Sequence, residues 1–341
     1  MSISCFTYNH EKFIRNTLNS FLMQETNFAI EILIHDDAST DNTAAIIKEY
    51  ESKYPEIIKP IYQVENQYSK GIKLNITYNI PRALGKYIAF CDGDDYWTDP
   101  LKLQKQVDFL EQNPEFVGCS HNTKVINEIN AEEDSLIVSS SNKDVFTIDD
   151  FTKGEAYFHT SSMVYRNNFK EKAPYDYLNK HRGDWFMLIS FSKFGPIKYL
   201  DEVMSVYRVH DAGIWSLLDK EKQIVANLKA IIAFNKIFDY EYEKNFLELF
   251  TRISLESYKN NDVNSFLNLF NDINKDDLIK ILQNMYSKTI ELNESVHKKD
   301  QIIAGKNQII AGKEADLNKL YSSKWFRLGK IIKKYTSFNW V

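Results

Sequence analysis

Three carboxylates fall within four positions of the chain, at Asp92, Asp94 and Asp95. Charges of one sign this close repel, and removing them from water costs free energy unless a positive charge lies between them. A divalent cation that prefers oxygen ligands, Mn²⁺ or Mg²⁺, supplies that charge. The apolar run Tyr87–Cys91 precedes the cluster and is typical of a buried strand, and open α/β sheets bind ligands at the carboxyl ends of their strands. The sequence therefore predicts a divalent metal site at one edge of a sheet.

The elements that must position this cluster are predicted from alternating apolar and polar stretches. Apolar residues three and four positions apart predict helices between short apolar runs that are typical of strands. The predicted strands are Ser2–Thr7, Ile30–Ile34, Ile57–Tyr62, Tyr87–Cys91, Thr160–Tyr165 and Lys198–Val206. Such alternation predicts an α/β fold with a doubly wound, mostly parallel sheet covered by helices. From Leu217 to about Tyr286 the pattern is helical, which predicts a helical C-terminal region.

Length and composition limit the class of protein. With 341 residues, 43% of them hydrophobic, the chain can bury the core of one large domain with an appendage, or of two domains. The three cysteines are too few for a disulfide framework, which favours free thiols and a reducing cytoplasm. No apolar run approaches the ~20 residues of a membrane-spanning helix, and no signal peptide is recognisable. Residues 1–296 carry 32 Lys and Arg against 44 Asp and Glu, which argues against a nucleic-acid partner.

The positions of the glycines argue against two classes of nucleotide-binding site. The first glycine of the chain is Gly71, whereas the dinucleotide-binding fingerprint and the P-loop both need glycines directly after an early strand. The sequence therefore argues against a nicotinamide enzyme and against a P-loop NTPase. A nucleotide bound at this sheet would depend on a metal to hold its phosphates, and the acidic cluster offers a site for one.

Three motifs, taken in order, resemble those of the family 2 glycosyltransferases. They are Phe6-Thr7-Tyr8-Asn9, then Ile34-His35-Asp36-Asp37-Ala38-Ser39-Thr40-Asp41, and then Asp92-Gly93-Asp94-Asp95. The resemblance covers about residues 2–215. It implies the GT-A fold, which is Rossmann-like, and an enzyme whose nucleotide-sugar donor is held through a metal at an Asp-x-Asp motif. Such an enzyme transfers the sugar to an acceptor hydroxyl, usually with inversion at the anomeric carbon.

The resemblance assigns four residues to the nucleotide. Thr7 and Tyr8 would line the base pocket, with the Tyr8 ring stacked on the base. Asp37 would accept a hydrogen bond from the base, and Asp36 would lie close to the base or the ribose. The alternative for Tyr8 is an aromatic side chain that only packs at a helix start. The alternative for the two carboxylates is a helix-capping turn, although one Asp would suffice for that.

The resemblance also assigns the residues around the diphosphate and the metal. Asp92 and Asp94 would flank the diphosphate, with Asp94 on the metal, and Asp95 would either be a second ligand or brace the loop. A Tyr-Arg-Val-His motif ends at His210, which would reach the metal or the diphosphate, while its Arg208 would contact a phosphate. The alternatives are a structural or exposed histidine and a solvated acidic turn, which would leave three carboxylates without a partner.

On the acceptor side, the resemblance implies a general base at a helix start, and Asp184 matches it. This carboxylate would take the proton of the acceptor hydroxyl as that hydroxyl attacks the anomeric carbon. The alternative is a plain helix N-cap. Trp185 would either stack on an acceptor sugar or belong to the core, and His159, ahead of a predicted strand, would be an acceptor contact.

The predicted function is metal-dependent, inverting transfer of a sugar from a nucleoside-diphosphate sugar, with uridine as the base. The acceptor would be a glycan or glycolipid hydroxyl in bacterial surface polysaccharide synthesis. Residues 1–215 would form the catalytic domain, with a nucleotide-binding half over about 1–120 and an acceptor half over about 120–215. Residues 216–290 would form a helical domain, and 291–341 a basic helical or coiled-coil tail. The alternative function is a non-catalytic sugar- or nucleotide-binding scaffold on the same fold that recruits partners through its tail.

The tail has a composition of its own. Residues 297–341 carry 10 Lys and Arg against 3 Asp and Glu, and Gln-Ile-Ile-Ala-Gly-Lys occurs twice, from Gln301 and from Gln308. The isoleucine stripe is typical of a short coiled coil that forms a homodimer through 297–320, or of an amphipathic helix packed on its own chain. Aromatic and basic residues between Trp325 and Trp340 favour a helix on an anionic membrane surface, at the inner face of the membrane, or a helix docked on the acidic body.

Overall fold

A computed structural model describes residues 1–129, 134–138, 142–167, 181, 183–213, 215, 218–259, 283, 298–299, 301, 303–315 and 318–319. The chain divides into two compact units, Met1–Asn274 and Lys275–Val341. Some predictions concern residues outside the described ones. They are the helical pattern over 260–282, Ile302 of the repeat and the basic aromatic segment 320–341.

The first unit is built on one sheet with helices packed around it. Its strands are β1 Ser2–Thr7, β2 Glu31–Asp36, β3 Ile58–Tyr62, β4 Tyr87–Phe90, β5 Tyr96–Trp97, β6 Gly118–Asn127, β7 Ser135–Leu136, β8 Val145–Phe146, β9 Val164–Arg166 and β10 Ile197–Val209. Its α-helices are α1 Ile14–Leu22, α2 Thr43–Lys53, α3 Lys102–Gln112, α4 Ile148–Thr152, α5 Asp184–Ser192, α6 Lys220–Ile237 and α7 Glu243–Lys259. The predicted α/β fold and the helical region that follows it are confirmed.

The sheet runs in the order β3-β2-β1-β4-β9-β6-β10-β5, with β7 beside β6 and β8 beside β10. Strands β3, β2, β1 and β4 pair in parallel, and so do β6 and β10. Strand β9 is antiparallel to both β4 and β6, so the sheet as a whole is mixed. The parallel first half brings the carboxyl ends of β1, β2 and β4 to one edge, where the predicted site residues begin.

The middle of the sheet is buried on both faces, as expected for strands covered by helices. Ile3, Ile34 and Ala89 have no exposed surface. Cys5, Cys91 and Cys119 are buried free thiols, as the sequence predicted.

Strand β6 is the longest of the strands that the apolar pattern did not predict. Residues 118–123 are buried, although most of them are polar. Their hydroxyl groups meet other buried hydroxyl groups, with Ser120 Oγ 2.8 Å from Ser162 Oγ and Thr123 Oγ1 2.9 Å from Ser205 Oγ. Buried polar groups are tolerated when they are hydrogen-bonded. A strand whose core face is satisfied in this way shows no apolar run in the sequence.

Two further predictions are refined by the structure. The predicted strand at Thr160–Tyr165 begins as the 3₁₀ turn Thr160–Ser162 and becomes β9 only at Val164. The spacing of Ile72, Ile76 and Ile80 predicts a helix that Pro81 should end or kink. The structure has a short π-helix there, Asn75–Asn79, which passes into a 3₁₀ turn that contains the proline. Proline cannot donate the backbone hydrogen bond of a continuing helix, so it limits this segment as expected.

The second unit contains the heptad repeat. Residues 303–315 are helical, and Ile303, Ile309 and Ile310 are 54%, 61% and 54% exposed. These three isoleucines therefore lie on a helix with their side chains accessible. Across the described part of the chain, no helix has the length and apolar character needed to cross a bilayer.

Candidate functional site

The acidic cluster lies on the loop between β4 and β5, and the start of this loop is hydrogen-bonded to β1. The backbone N–H groups of Cys91 and Gly93 donate to the carbonyls of Ser4 and Phe6 at 3.1 and 2.9 Å. A Cβ atom at Gly93 would lie 2.7 Å from Thr7 Oγ1, closer than real contacts allow. The glycine is therefore required by the close approach of the loop to the end of β1.

The three carboxylates converge as the sequence predicted. One oxygen from each of Asp92, Asp94 and Asp95 lies within 4.8 Å of the other two. Burial, and then the negative charge of the neighbouring carboxylates, raises the pKa of Asp92 and Asp95 well above the ordinary value. A divalent cation takes carboxylate oxygens as ligands and would offset this repulsion. The residues present therefore fit the predicted metal.

Two imidazoles approach one oxygen of Asp94. Nε2 of His210 lies 3.1 Å and Nε2 of His10 lies 3.6 Å from Oδ2. Burial alone would raise the pKa of Asp94, but the charge of His10 and the hydrogen bond from His210 outweigh it, and the pKa is lowered. The structure thus brings the predicted residue His210 to the predicted ligand Asp94. His10 was not predicted from the sequence, although it follows directly on the Tyr8-Asn9 motif.

Asp95 is held by groups from two distant segments. The backbone N–H of Arg208 donates to Oδ1 at 3.0 Å, and Nε2 of His159 lies 3.7 Å from Oδ2. His159 is buried, with Nδ1 2.8 Å from Ser161 Oγ and its ring 4.4 Å from that of Tyr207. These contacts hold the side chain of Asp95 in place. The acceptor contact predicted for His159 stays a prediction.

The side chain of Arg208 also braces the acidic loop. Its guanidinium donates to the backbone carbonyl of Asp94 and lies 4.3 Å from the centroid of the Tyr96 ring. Nε lies 3.5 Å from a carboxylate oxygen of Glu128. The guanidinium is thus engaged with the loop itself, and the phosphate contact predicted for Arg208 stays a prediction.

The residues predicted for the base lie at the ends of β1 and β2. Thr7 and Asp36 are partners in the strand register, and both are buried. Asp36 accepts the hydroxyl of Ser39 at 2.5 Å, and burial raises its pKa. Tyr8 is 43% exposed, so its ring is accessible for stacking. The base-pocket roles of these residues stay predictions.

Asp37 has a structural task that the motif did not reveal. Its two carboxylate oxygens accept the backbone N–H groups of Gln67 and Tyr68 at 2.8 and 2.9 Å. Nε2 of His35 lies 3.4 Å from the same carboxylate. Asp37 therefore ties the segment after β3 to the end of β2, and its predicted contact with the base stays a prediction.

Asp184 is the first residue of α5, and the N-cap residue of that helix is Gly183, with φ 108°. The carboxylate thus lies in the first turn, where the helix dipole favours a negative charge, and not at the cap. After burial and the charge of Asp94, the charge of Asp184 further raises the pKa of Asp92 and Asp95. The predicted general base therefore lies close enough to interact with the acidic cluster.

The indole of Trp185 contacts other residues of the protein. Its Nε1–H donates to the carbonyl of Phe151 at 3.1 Å, and its ring lies 5.1 Å from that of Phe234. These contacts match the core interpretation of Trp185, and the acceptor-stacking interpretation stays a prediction.

A second residue that sequence analysis missed is Thr17 on α1. Its buried hydroxyl lies 2.9 Å from the carbonyl of Gly93 and 2.6 Å from that of Asp95. Thr17 therefore ties α1 to the acidic loop through these two carbonyls. No sequence signal marks it, because a threonine on the buried face of a helix is ordinary.

Known proteins resemble this chain in sequence or in fold. Rv1520 of Mycobacterium tuberculosis, an uncharacterised protein, is 40% identical over 217 residues, which are 63% of this chain and 60% of that protein. The chain thus spans less than two thirds of the length of that relative. WfaP of Escherichia coli, named UDP-Glc:alpha-D-GlcNAc-diphosphoundecaprenol beta-1,3-glucosyltransferase, is 36% identical over 121 residues, 36% of this chain and 45% of that protein.

Among solved structures, S. aureus TarS 1-349 in complex with UDP-GlcNAc matches with a TM-score of 0.51 and 17% identity. The match covers 79% of this chain and 89% of that one, and it shows a shared fold. The family model described as Glycosyl transferase family 2 matches residues 2–192, more than half of the chain. With the motifs brought together at one sheet edge, this match shows that the chain belongs to glycosyl transferase family 2.

Proposed function

We propose that this chain transfers a sugar from a nucleoside-diphosphate sugar, with uridine as the base, to an acceptor hydroxyl. The observation that carries the proposal is the convergence of Asp92, Asp94 and Asp95 at the carboxyl end of β4, with Asp184 close enough to affect their pKa values. WfaP, by its name, uses UDP-Glc, and TarS was solved with UDP-GlcNAc, which supports a UDP-linked donor.

In the proposed reaction, Asp184 takes the proton of the acceptor hydroxyl, and that oxygen attacks the anomeric carbon. The bond between the anomeric carbon and the diphosphate oxygen breaks, and the nucleoside diphosphate leaves from the opposite face, which inverts the configuration. Asp94, with Asp95 and His210, would hold a Mn²⁺ or Mg²⁺ ion, which would supply positive charge for the leaving group. Asp92 flanks the diphosphate, and Tyr8 stacks on the base.

We further infer an acceptor in bacterial surface polysaccharide or glycolipid synthesis, because the name of WfaP gives a diphosphoundecaprenol-linked acceptor. A lipid-linked acceptor suits a cytoplasmic protein that lies on the inner face of the membrane. The catalytic domain would cover 1–215, the helical domain 216–290 and the tail 291–341.

A panel of nucleotide sugars tests the proposal. With Mn²⁺ present, the chain should hydrolyse or transfer from at least one donor, and Asp94→Asn should remove that activity. Asp108→Asn is the matched control, since this carboxylate on α3 is exposed and accepts a hydrogen bond from the side chain of Gln104 at 2.7 Å. Binding of donors without turnover across the whole panel, acceptors included, would favour the non-catalytic scaffold instead.

A further inference from the structure

His10 is held firmly in place beside the acidic loop. Its backbone N–H donates to Thr43 Oγ1 at 2.8 Å, and its carbonyl accepts the N–H groups of Phe13 and Ile14, both at 2.9 Å. Its side chain is 12% exposed. The backbone of His10 is therefore held by the start of α1 and by Thr43 at the start of α2.

The two ring nitrogens of His10 have different surroundings. Nε2 faces Oδ2 of Asp94 at 3.6 Å, slightly too far for a hydrogen bond. Nδ1 is buried and has no hydrogen-bond partner, and the same holds for Thr7 Oγ1. Both of these atoms lie close against Gly93, since a Cβ built there would be only 2.9 Å from Nδ1 and 2.7 Å from Thr7 Oγ1. A buried imidazole whose nitrogens make no hydrogen bond destabilises the fold unless one nitrogen binds a ligand.

The spacing around Asp94 is that of neighbouring metal ligands. In a near-octahedral shell with bonds of about 2.1 Å, adjacent ligand atoms lie about 3 Å apart. Nε2 of His210 lies 3.1 Å and Nε2 of His10 lies 3.6 Å from the same oxygen of Asp94. The two rings are perpendicular, with centroids 6.2 Å apart, so they approach that oxygen from different sides.

We propose that His10 is a ligand of the divalent cation and that, with His210, it makes the site prefer Mn²⁺ to Mg²⁺. This inference rests on the metal dependence in the proposed function. Imidazole suits transition metals, whereas Mg²⁺ takes oxygen ligands and water. Nε2 would be the ligand atom, since it is the ring nitrogen that faces Asp94.

The substitution His10→Phe tests the proposal because it separates packing from ligation. A phenyl ring keeps the edge contact that His10 makes with Phe13, whose ring centroid lies 6.3 Å away, but it has no nitrogen. Lys12→Ala is the matched control, since it removes an exposed side chain two positions along the same turn. Calorimetric titration of the full chain with MnCl₂ and, separately, with MgCl₂ gives both affinities, and thermal melting confirms folding.

We expect His10→Phe to weaken Mn²⁺ binding by about 10–100-fold or more, since the loss of an outer-shell partner alone has an effect of that size. Mg²⁺ binding should stay within about twofold of that of the unsubstituted chain. Pulsed EPR of bound Mn²⁺ should show one coordinated imidazole nitrogen fewer. Equal loss of both cations, or unchanged Mn²⁺ binding with unchanged nitrogen modulation, would overturn the role of His10 while leaving the proposed function intact. Absence of binding of either cation to the unsubstituted chain would instead overturn the metal dependence itself.

Discussion

The backbone N–H of Arg208 donates to Oδ1 of Asp95 at 3.0 Å, and this bond joins the last strand of the sheet to the acidic loop. Strand β10 runs beside β6, on the far side of β9 from β4. The bond therefore fixes the carboxylates against a part of the sheet that follows them by more than a hundred residues. It explains why the Tyr-Arg-Val-His motif and the Asp-x-Asp motif belong to one site.

The guanidinium of Arg208 gives a first prediction. It donates to the Asp94 carbonyl and lies over the Tyr96 ring, two contacts that a lysine cannot reproduce together. We expect Arg208→Lys to weaken Mn²⁺ binding by about 10-fold or more, as for the loss of an outer-shell partner. Arg252→Lys is the control, since Arg252 also donates to backbone carbonyls, those of Lys153 and Gly154. If Mn²⁺ affinity is unchanged and only UDP binding falls, Arg208 contacts phosphate and does not brace the loop.

The second prediction concerns the proposed general base. Asp184→Asn should leave donor binding unchanged, because the base acts on the acceptor hydroxyl. It should reduce transfer by about 10²–10⁴-fold, the usual contribution of general acid–base catalysis. Single-turnover transfer and calorimetric donor binding separate the two effects. Transfer at the parental rate would show that another carboxylate is the base, and Glu155 would be tested next.

A third prediction follows from the buried carboxylate of Asp37. Asp37→Ala leaves the N–H groups of Gln67 and Tyr68 without their acceptor, so the free energy of unfolding should fall by about 1–3 kcal/mol. Urea denaturation measures it, with the exposed residue Asp108→Ala as the control. Unchanged stability together with weaker UDP binding would mean that base recognition is the main role of Asp37.

The fourth prediction concerns Lys102, which is fully buried on α3, with Nζ 2.8 Å from Gln106 Oε1 and 4.2 Å from the Trp97 ring centroid. Burial lowers its pKa to about 7, whereas the unfolded chain keeps the proton up to about pH 10. Between about pH 7 and 8.5 unfolding therefore takes up a proton, and this group makes the free energy of unfolding rise by about 1.4 kcal/mol per pH unit. Below that range both states hold the proton and this contribution becomes constant.

Lys102→Met should flatten that rise, and urea denaturation at several pH values measures it. The three thiols of the unfolded chain also titrate near pH 8.5, but they do so in both proteins, so the difference between the two slopes reports Lys102. Lys105→Met is the control, because its ammonium is partly exposed, ion-paired with Asp99 and Glu202, and has a raised pKa caused mainly by those hydrogen bonds. Equal slopes for the unsubstituted chain and Lys102→Met would show that Lys102 is charged in the folded state.

The fifth prediction concerns the tail. Deleting 297–341 should leave donor hydrolysis largely intact, because every residue of the proposed site lies before position 215. It should reduce binding to anionic vesicles in a salt-sensitive way, since each cation near such a surface contributes about 1 kcal/mol. It should also weaken self-association through the stripe formed by Ile303 and Ile310. Vesicle co-sedimentation and light scattering measure the two effects.

The two measurements distinguish the interpretations of the tail. Unchanged vesicle binding with lost dimerisation would identify a coiled coil and not an anchor. Reduced vesicle binding of an unchanged monomer would identify an anchor alone. No change in either would favour a helix packed on its own chain.

The sequence by itself determined the elements whose pattern is local. The apolar runs of β1, β2 and β4 end in the residues of the three motifs, so the parallel half of the sheet and the convergence of Asp92, Asp94 and Asp95 followed from spacing alone. The repulsion among these carboxylates is a property of their types and proximity. It therefore pointed to a cation before any contact was known.

Only the tertiary structure decided the rest, because it depends on contacts between distant segments. Strand β6 is largely polar, and it can be buried only because hydroxyl groups from other segments of the chain pair with its own hydroxyl groups. His10 and Thr17 are ordinary residues of a helix start and a helix face until the fold places them beside Asp94 and under Asp95. Sequence spacing cannot reveal such a role, since it arises from distances that the packing of α1 against the acidic loop sets.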